Sequence, residues 1–152
     1  MPDNIIIRKA NESDLEDILK LINMPAIDNG VVMESLDGNA VYQSILDDPN
    51  YFQIVATTEE EIVAYVSLII IVQMTHEGAT TALITDLIVS EGIENKETQA
   101  DIASDLLEFT LSLAQEYGCY KTIVENDYLP KLTETACETF EFTKNTHSFI
   151  RK

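Results

Sequence analysis

Side chains that commonly act as metal ligands or redox groups are few in this chain, and they are not grouped. The two cysteines, Cys119 and Cys137, do not form a CxxC pair, and the histidines are limited to His76 and His147. Structural zinc sites and redox-active thiols both require such ligands at close, regular spacing. The sequence therefore predicts two free thiols and no metal site.

Acidic side chains, in contrast, dominate the charge of the chain. The 27 Asp and Glu residues outnumber the 9 Lys and Arg residues and give a formal net charge of −18. A negative field of this strength repels a phosphate backbone, so nucleic acid is disfavoured as a partner. Small cations, amines and basic proteins are favoured instead, unless the acidity serves solubility alone.

The bulk properties predict one domain that covers residues 1–152. Apolar residues make up 45% and charged residues 24% of the chain, which is typical of a folded globular domain of this size. No apolar run reaches the roughly 18 residues that a membrane span requires, and the first ten residues do not resemble a secretory signal. We therefore expect a cytoplasmic protein with no membrane partner, and a homodimer is compatible with the sequence.

Apolar periodicity predicts the element order β-α-α-β-β-β-α-β-α-β-β. The strands are predicted at 5–8, 51–57, 62–74, 81–89, 121–124, 140–142 and 148–150. The helices are predicted from a capping box at Ser13 and Glu16 to Met24, at 40–46, along the apolar face of 102–117, and at 129–137. Gly118 is placed to end the long helix, and 26–39 are expected to be irregular because of their glycines.

This order, together with the strand ALITDLIV, the helix DIASDLLEFTLSLAQEYGC and the closing stretch ETACETFEF, resembles the GNAT family of acetyl-CoA-dependent N-acetyltransferases. The resemblance covers nearly the whole chain. It implies an α/β fold with a mixed, mostly antiparallel sheet of about six or seven strands, flanked by helices on both faces. It also implies acetyl-CoA as the cofactor and transfer of an acetyl group to a small cationic amine, or to a lysine or N-terminal amine.

The family's cofactor loop can be placed on this sequence from both sides. The usual spacing back from Gly118 places the two small residues of the loop at Asp101 and Ala103, and the spacing forward places the family's terminal Gly-Phe at Glu141 and Phe142. The resemblance implies that amides at the start of the long helix hold the coenzyme A diphosphate. The implied cofactor-binding residues are Leu87, Ile88, Val89, Thr98, Gln99, Ala100, Asp101, Ile102, Ala103 and Asn126.

The sequence departs from the family pattern in this loop. Asp101 replaces the first glycine, Thr98 replaces the preceding Arg or Gln, and the longer loop carries Glu91, Glu94 and Glu97. A carboxylate about 5 Å from a phosphate costs about 3 kcal/mol near a surface, against about 0.3–1 kcal/mol gained from a helix end. Repulsion therefore wins unless Asp101 points away. In one interpretation the loop amides still bind phosphate; in the other, Thr98 caps the helix and Asp101 complements its dipole.

The family's catalytic positions are also altered. The Tyr that serves as general acid corresponds to Cys137, and the Glu that serves as base corresponds to Thr85. The predicted base is Asp86 or a water molecule. Asp86 is one position away, on the opposite face of a regular strand, and a β-bulge, which the family commonly has here, would bring it back. Tyr128, after the following strand, is the predicted substitute acid, with Cys137 as the other candidate. Core packing is the alternative role for both side chains.

The acceptor in this family is usually bound by the segment between the first two helices. Asp28, Glu34 and Asp37 lie there and would suit a cationic amine, or they are only solvated loop charges. Three functions therefore stay open: an active N-acetyltransferase, a GNAT-fold domain that has lost catalysis and binds a partner, and an acidic module that binds a basic protein.

Overall fold

The computed structural model describes residues 4–24, 34–125, 130–144 and 147–152. Within them, five strands form one sheet in the order in which they occur along the chain. They are β1 (Ile6–Lys9), β2 (Tyr51–Thr57), β3 (Ile62–Ile71), β4 (Thr81–Val89) and β5 (Lys121–Val124). Neighbouring strands are antiparallel, except that β4 and β5 are parallel.

Helices cover both faces of this sheet. They are α1 (Leu15–Ile22), α2 (Ser35–Asp47), α3 (Lys96–Glu116) and α4 (Pro130–Thr139), with short 3-10 helices at Glu12–Asp14 and His76–Gly78. Because successive strand residues point to opposite faces, Val66 and Ile84 pack toward α3 and α4, whereas Val55, Tyr65 and Ile88 pack toward α1 and α2. The predicted α/β fold, with a mixed sheet between two helical layers, is confirmed.

The number of strands is smaller than predicted, because the closing strands at 140–142 and 148–150 do not form in the described part of the chain. α4 continues to Thr139, and the Phe142 amide then donates to the Cys137 carbonyl (3.2 Å). Glu141 has φ of 62°, the left-handed conformation that closes a helix in this way. The backbone of 140–142 therefore serves the end of α4. Phe149, in the second predicted strand, is exposed in an irregular segment.

The first two helices also begin elsewhere than predicted. Asn11 accepts from the Ser13 amide (2.9 Å), and its own amide donates to the Asp14 carboxylate (2.8 Å). The capping box is therefore Asn11 with Asp14, and the predicted box starting at Ser13 was wrong. α2 begins at Ser35 and contains Gly38, so the described end of 26–39 is helical. A single glycine weakens a helix by only about 1 kcal/mol, which packing overrides.

Candidate functional site at the opening between β4 and β5

β4 contains a β-bulge at Asp86. Tyr65 pairs with Ile88 and Ser67 pairs with Thr85, so two residues of β4 face one residue of β3. Asp86 has φ of 58°, a left-handed conformation that Asp tolerates better than most residues. The bulge that the family resemblance suggested near Asp86 is therefore present, and beyond it Ile88 packs on the same face as Tyr65.

The bulge lies where β4 and β5 stop pairing. Their parallel register ends with Ile84 opposite Val124, after which the Glu125 amide donates to the Ile84 carbonyl (2.9 Å). β4 continues to Val89, with β3 as its only strand neighbour among the described residues. The two strands thus separate at the bulge, and β4 keeps one edge without a strand partner beyond it.

A second carboxylate lies at this point, on the neighbouring strand. The hydroxyl of Thr85, the residue that the resemblance aligns with the family's base, donates to Glu125 Oε2 (3.3 Å). Glu125 is exposed and follows β5 directly. Sequence reasoning missed Glu125, and the available signal was its place immediately after a parallel strand next to Thr85, where carboxyl ends of strands meet.

Asp86 is partly buried and its charge acts on the face covered by α1 and α2. Burial, above all, raises the pKa of Tyr65, and the negative charge of Asp86 adds to the rise. Tyr65 therefore stays protonated across the physiological range.

Of the two predicted proton donors, the structure describes Cys137 but not Tyr128. Cys137 is partly buried against the α3–α4 core, and burial raises the pKa of its thiol, so the thiol keeps its proton at neutral pH. Both cysteines are free thiols, as predicted, and the Thr80 hydroxyl contacts the Cys119 sulfur (3.3 Å). Tyr128 and Asn126 lie outside the described residues.

α3 begins before the position expected for the cofactor loop. The Asn95 side chain accepts from the amides of Glu97 (2.9 Å) and Thr98 (3.2 Å), and the Asn95 carbonyl accepts from the Gln99 amide (3.0 Å). From residue 100 onward, each amide lies inside the helix and donates to the carbonyl four residues earlier. The expectation that these amides are available to a ligand is therefore wrong, and Asn95, not Thr98, caps the helix.

Carboxylates surround the start of α3 on its solvent side. Glu91, Glu94, Glu97 and Asp101 are all exposed, and Lys96 is the cation among them. Asp101 points away from the core, and the Asn95 side chain already accepts from two of the first amides of α3, those of Glu97 and Thr98. The start of α3 therefore offers the diphosphate of coenzyme A fewer donors and more negative charge than the resemblance implies.

The end of β4 offers a different kind of contact. Leu87, Ile88 and Val89 are all less than 4% exposed, and their side chains anchor the strand in the two cores. Their side chains are therefore structural, and any ligand contact falls to the backbone. An extended ligand arm that carries amides can pair with such an edge as an added strand does.

The structure describes only some of the residues predicted to bind the acceptor substrate. Glu34 is exposed directly before α2, whereas Asp28 and the side chain of Asp37 lie outside what the structure describes. Of the helices described, none is long and apolar enough to cross a membrane. In the same residues, no group of three or more His, Cys, Asp or Glu side chains is placed to hold a metal ion.

Comparison with known proteins identifies the fold. No family model and no curated protein matches the sequence. A Bacillus halodurans C-125 protein described as a transcriptional regulator matches with a TM-score of 0.83 at 22% identity, over 98% of this chain and 99% of that chain. A GNAT family acetyltransferase of Staphylococcus aureus matches at 0.73 and 17% identity, over 97% of this chain and 98% of that chain. A predicted acetyltransferase of Clostridium acetobutylicum, solved with acetyl-CoA, matches at 0.74 and 16% identity, over 98% and 96%. The GNAT fold implied by the sequence is confirmed over nearly the full chain.

Proposed function

We propose that this chain, which has the GNAT fold, belongs to the GNAT family and transfers an acyl group to an amine at the opening beside Asp86. One observation carries the proposal: the bulge in β4 coincides with the point where β5 stops pairing. This coincidence exposes a strand edge next to two carboxylates, those of Asp86 and Glu125. A domain that only bound a partner at its surface would not require the bulge to coincide with the end of the β4–β5 pairing.

The chain's own groups suit the proton movements of such a reaction. An amine must lose a proton as it attacks an acyl carbon, and the departing group must gain one. Asp86, or Glu125 through the Thr85 hydroxyl, would take the first proton. Tyr128 or Cys137 would supply the second, since the raised pKa of the Cys137 thiol keeps its proton in place.

Acetyl-CoA, the donor that the family resemblance implies, would bring the activated acyl group. We propose that it is held through its pantetheine arm, by the backbone of Leu87, Ile88 and Val89, and that its diphosphate gains nothing from the capped start of α3. A weak or absent contribution of the diphosphate sets this chain apart from the pattern implied by its resemblance.

The proposed acceptor is a cationic amine, either a small molecule or a lysine or N-terminal amine. The carboxylates of Asp86 and Glu125 lie at the opening, and the whole chain carries −18. Such a field concentrates cations at the site and speeds their association. We also propose a cytoplasmic setting, where acyl thioesters and amines meet.

The donor proposal is tested by comparing acetyl-CoA with acetyl-pantetheine, which lacks the nucleotide and diphosphate. Calorimetry should give dissociation constants for the two compounds that agree within about threefold. The corresponding difference in binding free energy is smaller than the contribution of one net hydrogen bond. Acetyl-CoA binding more than about tenfold tighter would show that the start of α3 rearranges to hold the diphosphate, and the proposed pantetheine-only mode would be wrong.

The catalytic proposal is tested by Asp86→Asn. Asn tolerates the left-handed conformation but cannot take a proton, so acetylation of an amine panel, followed by mass spectrometry, should fall by about 100-fold or more while thioester binding persists. Asp48→Asn, in the turn after α2, is the matched control and should keep full activity. Unchanged turnover in the Asp86 variant would move the base to Glu125, and Glu125→Gln then decides between them.

A second function is favoured by one specific observation, the self-capped start of α3. A GNAT-fold domain that has lost catalysis, and that binds a basic protein or another cationic partner through its acidic surface, needs no coenzyme site. Absence of thioester binding at millimolar concentration, together with absence of turnover, would exclude the first function, and salt-sensitive binding of a basic protein would then support the second.

A further inference from the structure

A row of polar residues crosses the sheet on the face covered by α1 and α2. Gln53, Ser67 and Thr85 are register partners on β2, β3 and β4, and the Thr85–Glu125 hydrogen bond (3.3 Å) extends the row to the opening. We call these four residues the polar row. Because adjacent strands lie about 4.8 Å apart, Gln53 is roughly 10 Å from Thr85.

The end of the polar row at Gln53 is buried and contains an unused acceptor. The Gln53 amide nitrogen donates to the Tyr65 hydroxyl (2.7 Å), and that hydroxyl shares a hydrogen bond with Ser67 Oγ (2.8 Å). Gln53 is 7%, Tyr65 3% and Ser67 0% exposed. The amide oxygen of Gln53 is buried as well, and no described residue donates to it. Buried acceptors are nearly always bonded in native proteins, so this oxygen points to a donor from outside the described chain.

The two ends of the polar row differ in charge and solvent access. At the β5 end, Glu125 is exposed and Asp86 lies beside the same opening, so a cation is favoured there. At the β2 end, the Gln53 amide oxygen is uncharged and buried, so a hydrogen bond to it is stronger than one made in water. One ligand that satisfied both ends would carry an ammonium group and, some distance away, a second N–H or O–H donor.

We propose that the polar row is the recognition site for the acceptor, with the Gln53 amide oxygen binding an uncharged second donor, a hydroxyl or amide N–H group, of a cationic amine. This inference rests on the proposed function, since it places the reacting amine at the opening beside Asp86. The row then acts as a ruler: it selects acceptors whose second donor lies about 7 Å from the reacting amine, which is two strand spacings less the length of one hydrogen bond. Gln53 determines specificity and takes no part in the proton transfers.

The test compares 5-amino-1-pentanol with pentylamine, which has the same carbon chain and lacks the hydroxyl group. Calorimetry should show 5-amino-1-pentanol binding wild-type protein about tenfold more tightly, as expected for one buried hydrogen bond to an uncharged donor. Gln53→Met, which keeps the length of the side chain, should lose this preference and keep its affinity for pentylamine. Gln43→Met, on the exposed side of α2, is the control and should retain the preference.

A measurement on wild-type protein keeps the test decisive if Gln53→Met does not fold. In a spectrum of ¹⁵N-labelled protein, the side-chain amide signals of Gln53 should shift with 5-amino-1-pentanol and stay in place with pentylamine. Equal affinity of the wild-type protein for both amines, or a preference that survives Gln53→Met, overturns the ruler while the proposed function stands. Binding of neither amine overturns the proposed acceptor class, and the ruler with it.

Discussion

At the scale of single residues, the conformation of the backbone matters as much as side-chain chemistry. Asp86 and Glu141 both have positive φ, of 58° and 62°, a region that most residues avoid. Asp86 forms the bulge at the candidate site. Glu141 occupies the place where the resemblance puts a family glycine, and it has the left-handed conformation that glycine normally supplies there. The backbone conformation of Glu141 thus agrees with the alignment that places a family glycine at this position.

A partly buried ion pair near the N-terminus gives stability a predictable dependence on pH. Asp14 is held by Arg8 through two hydrogen bonds (2.7 and 3.0 Å) and by the Asn11 amide. The Arg8 hydrogen bond, above all, lowers the pKa of Asp14. A lowered pKa in the folded state means that this stabilisation is complete above the unfolded value, near 3.9, and is lost as pH falls through the folded value.

Asp14→Asn should therefore lower the free energy of unfolding by about 2 kcal/mol at pH 7. In urea titrations the difference from wild type should narrow as the pH falls below 4, because wild type then loses the same charge. Asp17→Asn, which breaks an exposed pair with Lys20 (3.3 Å), should change stability by less than about 0.5 kcal/mol. A difference between Asp14→Asn and wild type that is the same at pH 7 and pH 3 would contradict the assignment.

At the scale of elements, the start of α3 is the feature that separates this chain from the pattern it resembles. The helix satisfies its own first amides through Asn95 and begins before the expected loop. Asn95→Ala should destabilise the protein by about 1 kcal/mol, since two amides lose their acceptor. Thermal and urea unfolding measure this change. Asn95→Asp retains a cap and should stay close to wild type; an equal loss in both variants would mean that Asn95 matters for another reason.

The bounds of β4 and β5 were predictable because they follow from local apolar alternation, and the predicted ranges agree with the structure. Gly118 ends α3 with φ of 71°, also as predicted. The strands predicted at 140–142 and 148–150 were wrong, because a short alternating run becomes a strand only if an edge pairs with it. At 140–142 the backbone instead makes the hydrogen bonds that close the end of α4, including the one from the Phe142 amide to the Cys137 carbonyl.

At the scale of the whole molecule, the excess of acidic side chains predicts a strong dependence of stability on salt. Self-repulsion at a net charge of −18 destabilises the compact state, and salt screens it. Raising NaCl from 10 to 200 mM at pH 7 should increase the free energy of unfolding by something on the order of 1 kcal/mol. Near pH 4, close to the calculated isoelectric point of 4.1, the same change in salt should have little effect. A salt response of equal size at both pH values would show that it does not come from net charge.

The sequence alone determined the element order as far as α4 and the resemblance to the GNAT fold. The element order depends on residues close together in the chain, whose periodicity reports which face is buried. The resemblance also pointed to Asp86 and to a bulge there.

Only the tertiary structure decided which groups meet. It placed Glu125 against Thr85, left the Gln53 amide oxygen without a described donor, and gave the first amides of α3 to Asn95. Several residues near each of these groups could have made the same hydrogen bonds. The choice depends on how strands and helices distant in sequence pack together, because every buried polar group competes for partners across the whole fold.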